Sequence, residues 1–217
     1  ILLGVGSAWL IVSFEFPGQR ILSWALVLPL AMPGYIIAYV YTDLLEFAGP
    51  VQSLLRDITG WQVGDYAFPP IRSLGGAALM LSLVLYPYVY LLTRTSFQRQ
   101  SVALVEATRV LGVSPTQAFL RVALPCARPA IAGGVALALM ETIADYGVAD
   151  YFGVSTLTAG IFRTWLGMGE PVAAAQIAAV LFLFAGALVV LERLNRQGTV
   201  ANPLGRDVAA ARIVLPP

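Results

Sequence analysis

The chain has 217 residues, of which 59% are hydrophobic and 12% charged, with a mean hydropathy of +0.80. Soluble domains are typically about 45–50% apolar and about 25% charged, so the expected solvent of this chain is a lipid bilayer. Histidine is absent and Cys126 is the one cysteine. These counts exclude a disulfide framework within the chain, zinc sites of the Cys/His type and a nucleophile–histidine triad.

Five apolar segments approach the length of about 20 residues that a membrane-spanning helix needs. The first looks like the end of a span whose beginning is missing, so we expect the sequence to be a fragment of a longer chain. The fourth contains two carboxylates. These segments therefore predict an all-α integral membrane fold with about five transmembrane helices, the first of them truncated. The predicted spans are residues 1–14, 21–42, 73–93, 129–147 and 171–191.

The segments between these spans contain residues typical of loops and most of the charged residues. Residues 148–170 are expected to hold a short interfacial helix around 158–166, and residues 193–217 have no apolar run long enough to span. Placing residues 94–128 on the inner side puts ten of the thirteen arginines there, as the positive-inside rule requires. We predict a transmembrane domain at 1–192 and a cytoplasmic linker or tail at 193–217.

The basic loop at 94–128 is too long and too patterned for a simple connector. Its first part fits a short amphipathic helix that ends at Gly112, since glycine is common just after a helix end. Ser114 followed by Pro115 then predicts a new helix, with serine as the N-cap and proline in the first turn. Pro125 and Pro129 are expected to break the chain before the fourth span.

The same loop resembles a known motif. Glu106-Ala107-Thr108 is followed by Gly112 six positions after the glutamate, and then by Val122 and by Leu124-Pro125. This spacing resembles the Glu-Ala-Ala loop, or EAA motif, of ABC-importer permeases of type I, with Thr108 and Val122 as conservative departures. The resemblance implies a coupling helix that docks in a cleft of a cytoplasmic ATPase. Glu106 would be a polar contact, Ala107 would allow close approach and Gly112 would permit the turn.

An ordinary interfacial helix held by lipid headgroups is the alternative for residues 102–111. It accounts for Arg99 and Arg109 but not for the spacing of the glycine and the Leu-Pro pair.

The resemblance also implies partners. The chain would work with a dimer of ABC ATPase subunits, a periplasmic substrate-binding protein, a second permease half (fused or separate) and membrane lipid, and not with nucleic acid. No Gly-x-x-x-x-Gly-Lys-Ser/Thr loop occurs, so ATP and magnesium are expected in the partner ATPase, with no cofactor, metal or catalytic residue in this chain. The implied location is the bacterial inner membrane, as a multi-pass protein.

Further stretches resemble ferric-iron permeases, and specifically their amino-terminal half. They are Phe16-Pro17-Gly18, residues 28–41, residues 141–153 and Phe162-Arg163-Thr164-Trp165. The implied cargo is ferric iron, while thiamine and phosphonate permeases of the same group remain alternatives.

Carboxylates and tyrosines near the fourth span are the candidate cargo pathway, because carboxylate and phenolate oxygens suit a hard cation such as Fe(III). Gly134, Ala138, Glu141 and Asp145 share one helical stripe, and ionisable groups inside a membrane usually face a cavity or a partner. The alternatives are that Glu141 pairs with an arginine of a partner helix and that the tyrosines are interfacial belt residues. The candidates are Glu141, Asp145, Tyr146, Asp150 and Tyr151.

Two other function classes fit less well. A secondary transporter driven by protonation of Glu141 and Asp145 has no reason to keep a docking loop. An intramembrane enzyme has little support without histidine or a Gly-x-Ser-x-Gly motif.

Overall fold

The computed structural model describes residues 1–62, 64–100, 114–197 and 213–214. Two short strands of two residues each, β1 (Phe14–Glu15) and β2 (Ile213–Val214), pair in parallel. The other regular structure in these ranges is helical. The predicted all-α membrane fold is therefore confirmed. The helices are α1 Leu2–Ser13, α2 Gln19–Ala25, α3 Gly34–Leu45, α4 Pro50–Thr59, α5 Leu74–Arg99, α6 Pro115–Ala118, α7 Leu124–Ala144, α8 Gly147–Tyr151, α9 Leu157–Phe162 and α10 Pro171–Gln197.

Three helical stretches in the described ranges are long and apolar enough to cross a membrane. They are α5, the continuous helix Thr116–Ala144 that includes α7, and Pro171–Leu194 of α10. A broken helix pair, Gln19–Ala31 with Gly34–Thr59, would make a fourth if it counts as one span. The helix α1 has 12 residues and is shorter than a span.

The second predicted span, residues 21–42, lies in a broken helix pair that is bent by 101°. After α2 the backbone forms a 3-10 turn at Leu28–Ala31, and α3 starts only at Gly34. Pro33 stands before α3 with φ −57° and ψ 137°, which is not helical. A proline inside a helix removes one hydrogen bond and clashes with the preceding turn, so Pro29 and Pro33 together end one helix before the next begins.

The expected break at Pro125 and Pro129 is wrong, because both residues lie inside α7. A π-helical segment, Phe119–Ala123, directly precedes this helix, and the Leu124 N–H donates to the carbonyl five residues back. Such a wider turn, together with packing against neighbouring helices, accommodates the missing proline donors without a break in the helix.

Two local predictions are confirmed. The Ser114 hydroxyl accepts a hydrogen bond from the Gln117 N–H at 3.3 Å, which is the expected N-cap contact. The short helix expected around 158–166 is present as α9 and the π-helical segment Arg163–Gly167 that follows it.

The last long helix, α10, crosses the predicted domain boundary. It ends at Gln197, five residues beyond the boundary predicted at 192. The division into a transmembrane domain and a tail stays a prediction.

The chain divides into two compact units. Unit 1 comprises residues 1–28, 85–140 and 186–217. Its core forms where α1, the second half of α5 and the start of α7 meet. The buried side chains there are Val5, Ala8, Ile11, Val89, Tyr90, Phe97, Ala123 and Ala127.

Unit 2 comprises residues 29–84 and 141–185. In this unit α3 packs against both α4 and α8. Buried residues of α3 (Ile37, Ala38) and of α8 (Val148, Ala149) belong to its apolar interior. The Thr158 hydroxyl donates to the Ile143 carbonyl at 2.5 Å, which joins the start of α9 to the end of α7.

Candidate functional site

The predicted ATPase-coupling residues fall into two groups. Glu106, Ala107, Thr108 and Gly112 lie outside the described residues. Leu124 and Pro125 are the first two residues of α7 and are half-buried in unit 1.

Both flanks of residues 101–113 are fixed to the core of unit 1. Trp9 of α1 lies with its ring centroid 5.5 Å from that of Phe97 and 4.8 Å from that of Phe119. The Gln100 side-chain amide donates to the Ala123 carbonyl at 3.0 Å. Phe97 and Gln100 precede residues 101–113, and Phe119 and Ala123 follow them, so these contacts join the two flanks to each other.

Glycines bring α1 and α7 close to α5 within unit 1. A Cβ on Gly134 would lie 2.7 Å from the Val89 Cα, and a Cβ on Gly4 would lie 2.8 Å from the Val89 Cβ. Small residues allow such close approach of membrane helices. Gly134 of the predicted stripe therefore packs against another helix.

Glu141 and Asp145, two of the three carboxylates of the candidate cargo pathway, differ in their surroundings. Glu141, near the end of α7, is exposed. Asp145 is half-buried, and its Oδ1 accepts a hydrogen bond from the Val148 N–H at 2.7 Å. This contact caps the first turn of α8. Asp145 therefore has a structural role in unit 2, since it fixes the turn between α7 and α8.

The three remaining candidates separate into two places. The Tyr146 ring packs on Phe162 with centroids 4.4 Å apart. Asp150 and Tyr151 instead line a cavity of about 430 Å³ together with Tyr35 and other residues of α3 and α8. Asp150 and Tyr151 thus line the same cavity.

Several residues around this cavity were missed from the sequence. Tyr35 and Tyr39 line it, and the Tyr39 ring centroid is 5.5 Å from that of Tyr151. Their spacing of four on α3 was a signal that they share one helix face.

Arg72 was missed as well. Its guanidinium lies 5.0 Å from the Tyr151 ring centroid, and its Nε is 3.0 Å from the Glu46 carboxylate. A cation over an aromatic face is attracted by the ring, whereas the exposed ion pair contributes little. Nothing in the sequence around Arg72 indicated this contact, which depends on a tyrosine 79 positions away.

The arrangement offers phenol hydroxyls, one guanidinium and carboxylate oxygens beside an open cavity. In the described ranges, no three Asp, Glu or Cys side chains lie close enough together to hold a metal ion. Phenol and guanidinium groups can donate hydrogen bonds to an anion, and carboxylates can accept them or contact a cation.

Comparison with known proteins gives the family. Residues 1–197 match the family model described as "Binding-protein-dependent transport system inner membrane component". A probable sulfate transport system permease protein of Nephroselmis olivacea is 34% identical over 148 residues, which cover 66% of this chain and 48% of that protein. The molybdenum transport system permease protein of Escherichia coli K12 is 29% identical over 149 residues, or 69% of this chain and 62% of the relative.

A putative 2-aminoethylphosphonate transport system permease protein of Salmonella paratyphi A is 24% identical over 208 residues. These residues cover 94% of this chain and 71% of that protein. The chain thus spans about half the length of the sulfate permease and under two-thirds of the molybdenum permease. The model match covers most of the chain and agrees with the long apolar helices of the structure. The chain belongs to the family of binding-protein-dependent transport system inner membrane components, the permeases of ABC importers.

Proposed function

We propose that this chain is a membrane-spanning permease subunit of an ATP-driven importer in a bacterial inner membrane. A separate ATPase dimer, which binds ATP and magnesium, would drive it through the loop at 102–125. The observation that carries the proposal is the spacing of Glu106, Gly112 and Leu124-Pro125. The family match and the anchoring of both loop flanks to α5 and α7 support it.

The remaining partners follow from the same proposal. A periplasmic binding protein would deliver the cargo, and a second permease half, fused or separate, would complete the pore. Hydrolysis of ATP would move the loop, and the contacts at Gln100 and Phe119 would pass that movement to the spanning helices.

The test of coupling is Gly112→Asp in the full permease, reconstituted with its ATPase and binding protein. An aspartate adds a side chain and a charge at the turn predicted for Gly112, so we expect the cargo-stimulated ATPase rate to fall at least about tenfold. Ser114→Asp is the matched control, because aspartate is also a good N-cap. Normal cargo uptake by the Gly112→Asp protein would contradict the coupling role.

For the cargo we propose ferric iron, on the resemblance of residues 141–153 and 28–41 to ferric-iron permeases. The oxygen-rich set of Asp150, Tyr151 and Tyr35 beside one cavity supports transient passage of a hard cation.

An oxyanion is the second candidate. The relatives compared above are named for sulfate, molybdenum and 2-aminoethylphosphonate transport. Arg72 beside Tyr151 offers donors suited to such anions.

The two cargoes are separated by measuring ATPase stimulation with the binding protein loaded with Fe(III), sulfate, molybdate, 2-aminoethylphosphonate or thiamine in turn. Stimulation by Fe(III) alone supports iron. Stimulation by one of the other cargoes discards iron and keeps the importer. Arg72→Gln should reduce uptake of an oxyanion more than uptake of Fe(III), whereas Asp150→Asn should do the reverse.

A further inference from the structure

A polar cavity of about 240 Å³ lies within unit 1. It forms where the end of α1, the start of α2 and the last turns of α5 meet. Its polar lining consists of two guanidinium groups, two side-chain amides and one hydroxyl. These belong to Arg20, Arg94, Gln19, Gln98 and Ser23, and we call the space the arginine cavity.

The two arginines of this cavity have no carboxylate partner within salt-bridge distance among the residues that the structure describes. The Nε of Arg94 is buried and has no hydrogen-bond partner there. The Arg94 guanidinium carbon lies 5.9 Å from the Tyr90 ring centroid, at the outer limit of a cation–aromatic contact. The Arg94 guanidinium also has a side-chain hydrogen bond with Tyr90, so the donor without a partner is its Nε alone. A buried donor without a partner is costly, so an anion that accepts from it would be stabilised.

The other polar groups hold the cavity in shape. The Gln19 amide donates to the Ile11 carbonyl at 2.5 Å and to the Phe14 carbonyl at 3.0 Å, and the Ser23 hydroxyl donates to the Arg20 carbonyl at 2.8 Å. These bonds tie the start of α2 to the end of α1. The donors left to face a ligand are therefore the guanidinium groups of Arg20 and Arg94 and the Gln98 amide.

The position of Arg94 along α5 fits a cavity near a membrane surface. Arg94 follows Leu74, the first residue of the helix, by 20 residues, and at 1.5 Å per residue this distance is about 30 Å. A hydrocarbon core is about 30 Å thick, so with Leu74 at one boundary Arg94 would stand at the other. The headgroup layer that carries the lipid phosphates begins at this boundary.

We propose that the arginine cavity binds a phosphate-type oxyanion through Arg20 and Arg94. Guanidinium groups bind phosphate with paired, charge-assisted hydrogen bonds, and two of them on neighbouring helices would hold one anion between α2 and α5. The anion would be either the headgroup of an anionic phospholipid or a free inorganic oxyanion. This inference does not depend on the identity of the cargo or on the coupling loop.

The test uses the full-length permease purified in mild detergent, stripped of lipid and titrated with phosphatidylglycerol or with inorganic phosphate, with binding followed by native mass spectrometry. Arg20→Gln and Arg94→Gln should each weaken binding at least about tenfold, the change expected for loss of a charge-assisted pair. Arg99→Gln is the control, because Arg99 is exposed on α5 and does not line the cavity.

Each outcome decides the proposal. Loss of phosphatidylglycerol binding in the two variants, with no competition by inorganic phosphate, assigns the site to lipid. Equal competition by inorganic phosphate assigns it to a free oxyanion. If Arg20→Gln, Arg94→Gln and Arg99→Gln bind both probes as the unchanged protein does, the proposal is wrong. Arg20 is exposed, so its variant stays informative even if Arg94→Gln does not fold.

Discussion

At the residue scale, single glycines and one aspartate carry much of the local structure. Gly134 lets α7 approach the backbone of α5 at Val89, and Gly4 does the same for α1 from another side of Val89. Asp145 fixes the first turn of α8 through its bond to the Val148 N–H. The predicted stripe therefore combines two structural roles, helix packing at Gly134 and helix capping at Asp145. Of its four residues, Glu141 is the exposed one.

Gly134→Leu should lower the melting temperature of the purified permease. A Cβ at this position meets the Val89 Cα at 2.7 Å, so α5 and α7 must separate, and overpacking of this kind costs about 1–3 kcal/mol. The matched control is Gly186→Leu on α10, where an added Cβ meets nothing within 4 Å. Equal melting temperatures for the two variants in differential scanning fluorimetry would contradict the packing argument.

Asp145→Ala should destabilise the α7–α8 turn by about 1 kcal/mol, because the Val148 N–H loses its acceptor. Asp145→Asn keeps an acceptor oxygen, so its melting temperature and uptake rate should stay near those of the unchanged protein. If Asp145→Asn melts normally but loses uptake, the negative charge itself serves the cargo, and capping is not the main role of this side chain.

At the element scale, hydrogen bonds from the polar side of α4 join this helix to the residues before and after it. Arg56 donates to the Tyr66 hydroxyl at 2.9 Å, that hydroxyl donates to Gln52 at 2.9 Å, and Gln52 donates to the Leu45 carbonyl at 2.8 Å. The opposite side of the helix exposes Leu54 and Ile58. The network thus turns the polar face of α4 inward and leaves its apolar face outward, as in a helix that contacts lipid.

Tyr66→Phe removes the central hydroxyl of this network and leaves Arg56 and Gln52 without a shared partner. We expect a loss of about 1–2 kcal/mol in the local stability of α4, seen as faster proteolysis within residues 60–73. Tyr41→Phe is the control, because no hydrogen bond of the Tyr41 hydroxyl occurs among the described residues. Identical digestion rates for both variants would show that the network does not hold the helix.

Prolines had different effects on different elements. Pro29 and Pro33 end α2 and delay α3, whereas Pro87 lies inside the continuous α5 and Pro125 inside α7. The sequence could not separate these cases, because the cost of a missing N–H depends on whether neighbouring helices and a π-helical turn compensate for it.

At the scale of the whole molecule, the distribution of arginine predicts which ends of the helices face the cytoplasm. Residues 43–72 carry two of the thirteen arginines and residues 94–128 carry five. The amino end of α5 should therefore face outward and its carboxyl end, with Arg94 and Arg99, should face inward.

Labelling of cysteine with a membrane-impermeant maleimide in intact spheroplasts checks this topology. Cys126 is exposed and lies near the end of the predicted inner segment 94–128, so it should react only after the membrane is permeabilised. Asp65→Cys in a Cys126→Ser background is exposed on the predicted outer side and should react without permeabilisation. The reverse pattern would invert the orientation.

The sequence by itself determined the membrane class and the approximate positions of the three long apolar helices, and it predicts the coupling motif. Each of these depends on composition or on spacing along the chain. It also predicted the Ser114 cap and the short helix near residue 160, because these too are local. Tertiary structure alone decided that Gly134 packs on Val89, that Arg72 lies on Tyr151 and that Arg20 and Arg94 line one cavity. These contacts join residues far apart in the chain, and a pattern of neighbouring residues cannot specify which distant side chain a helix will meet.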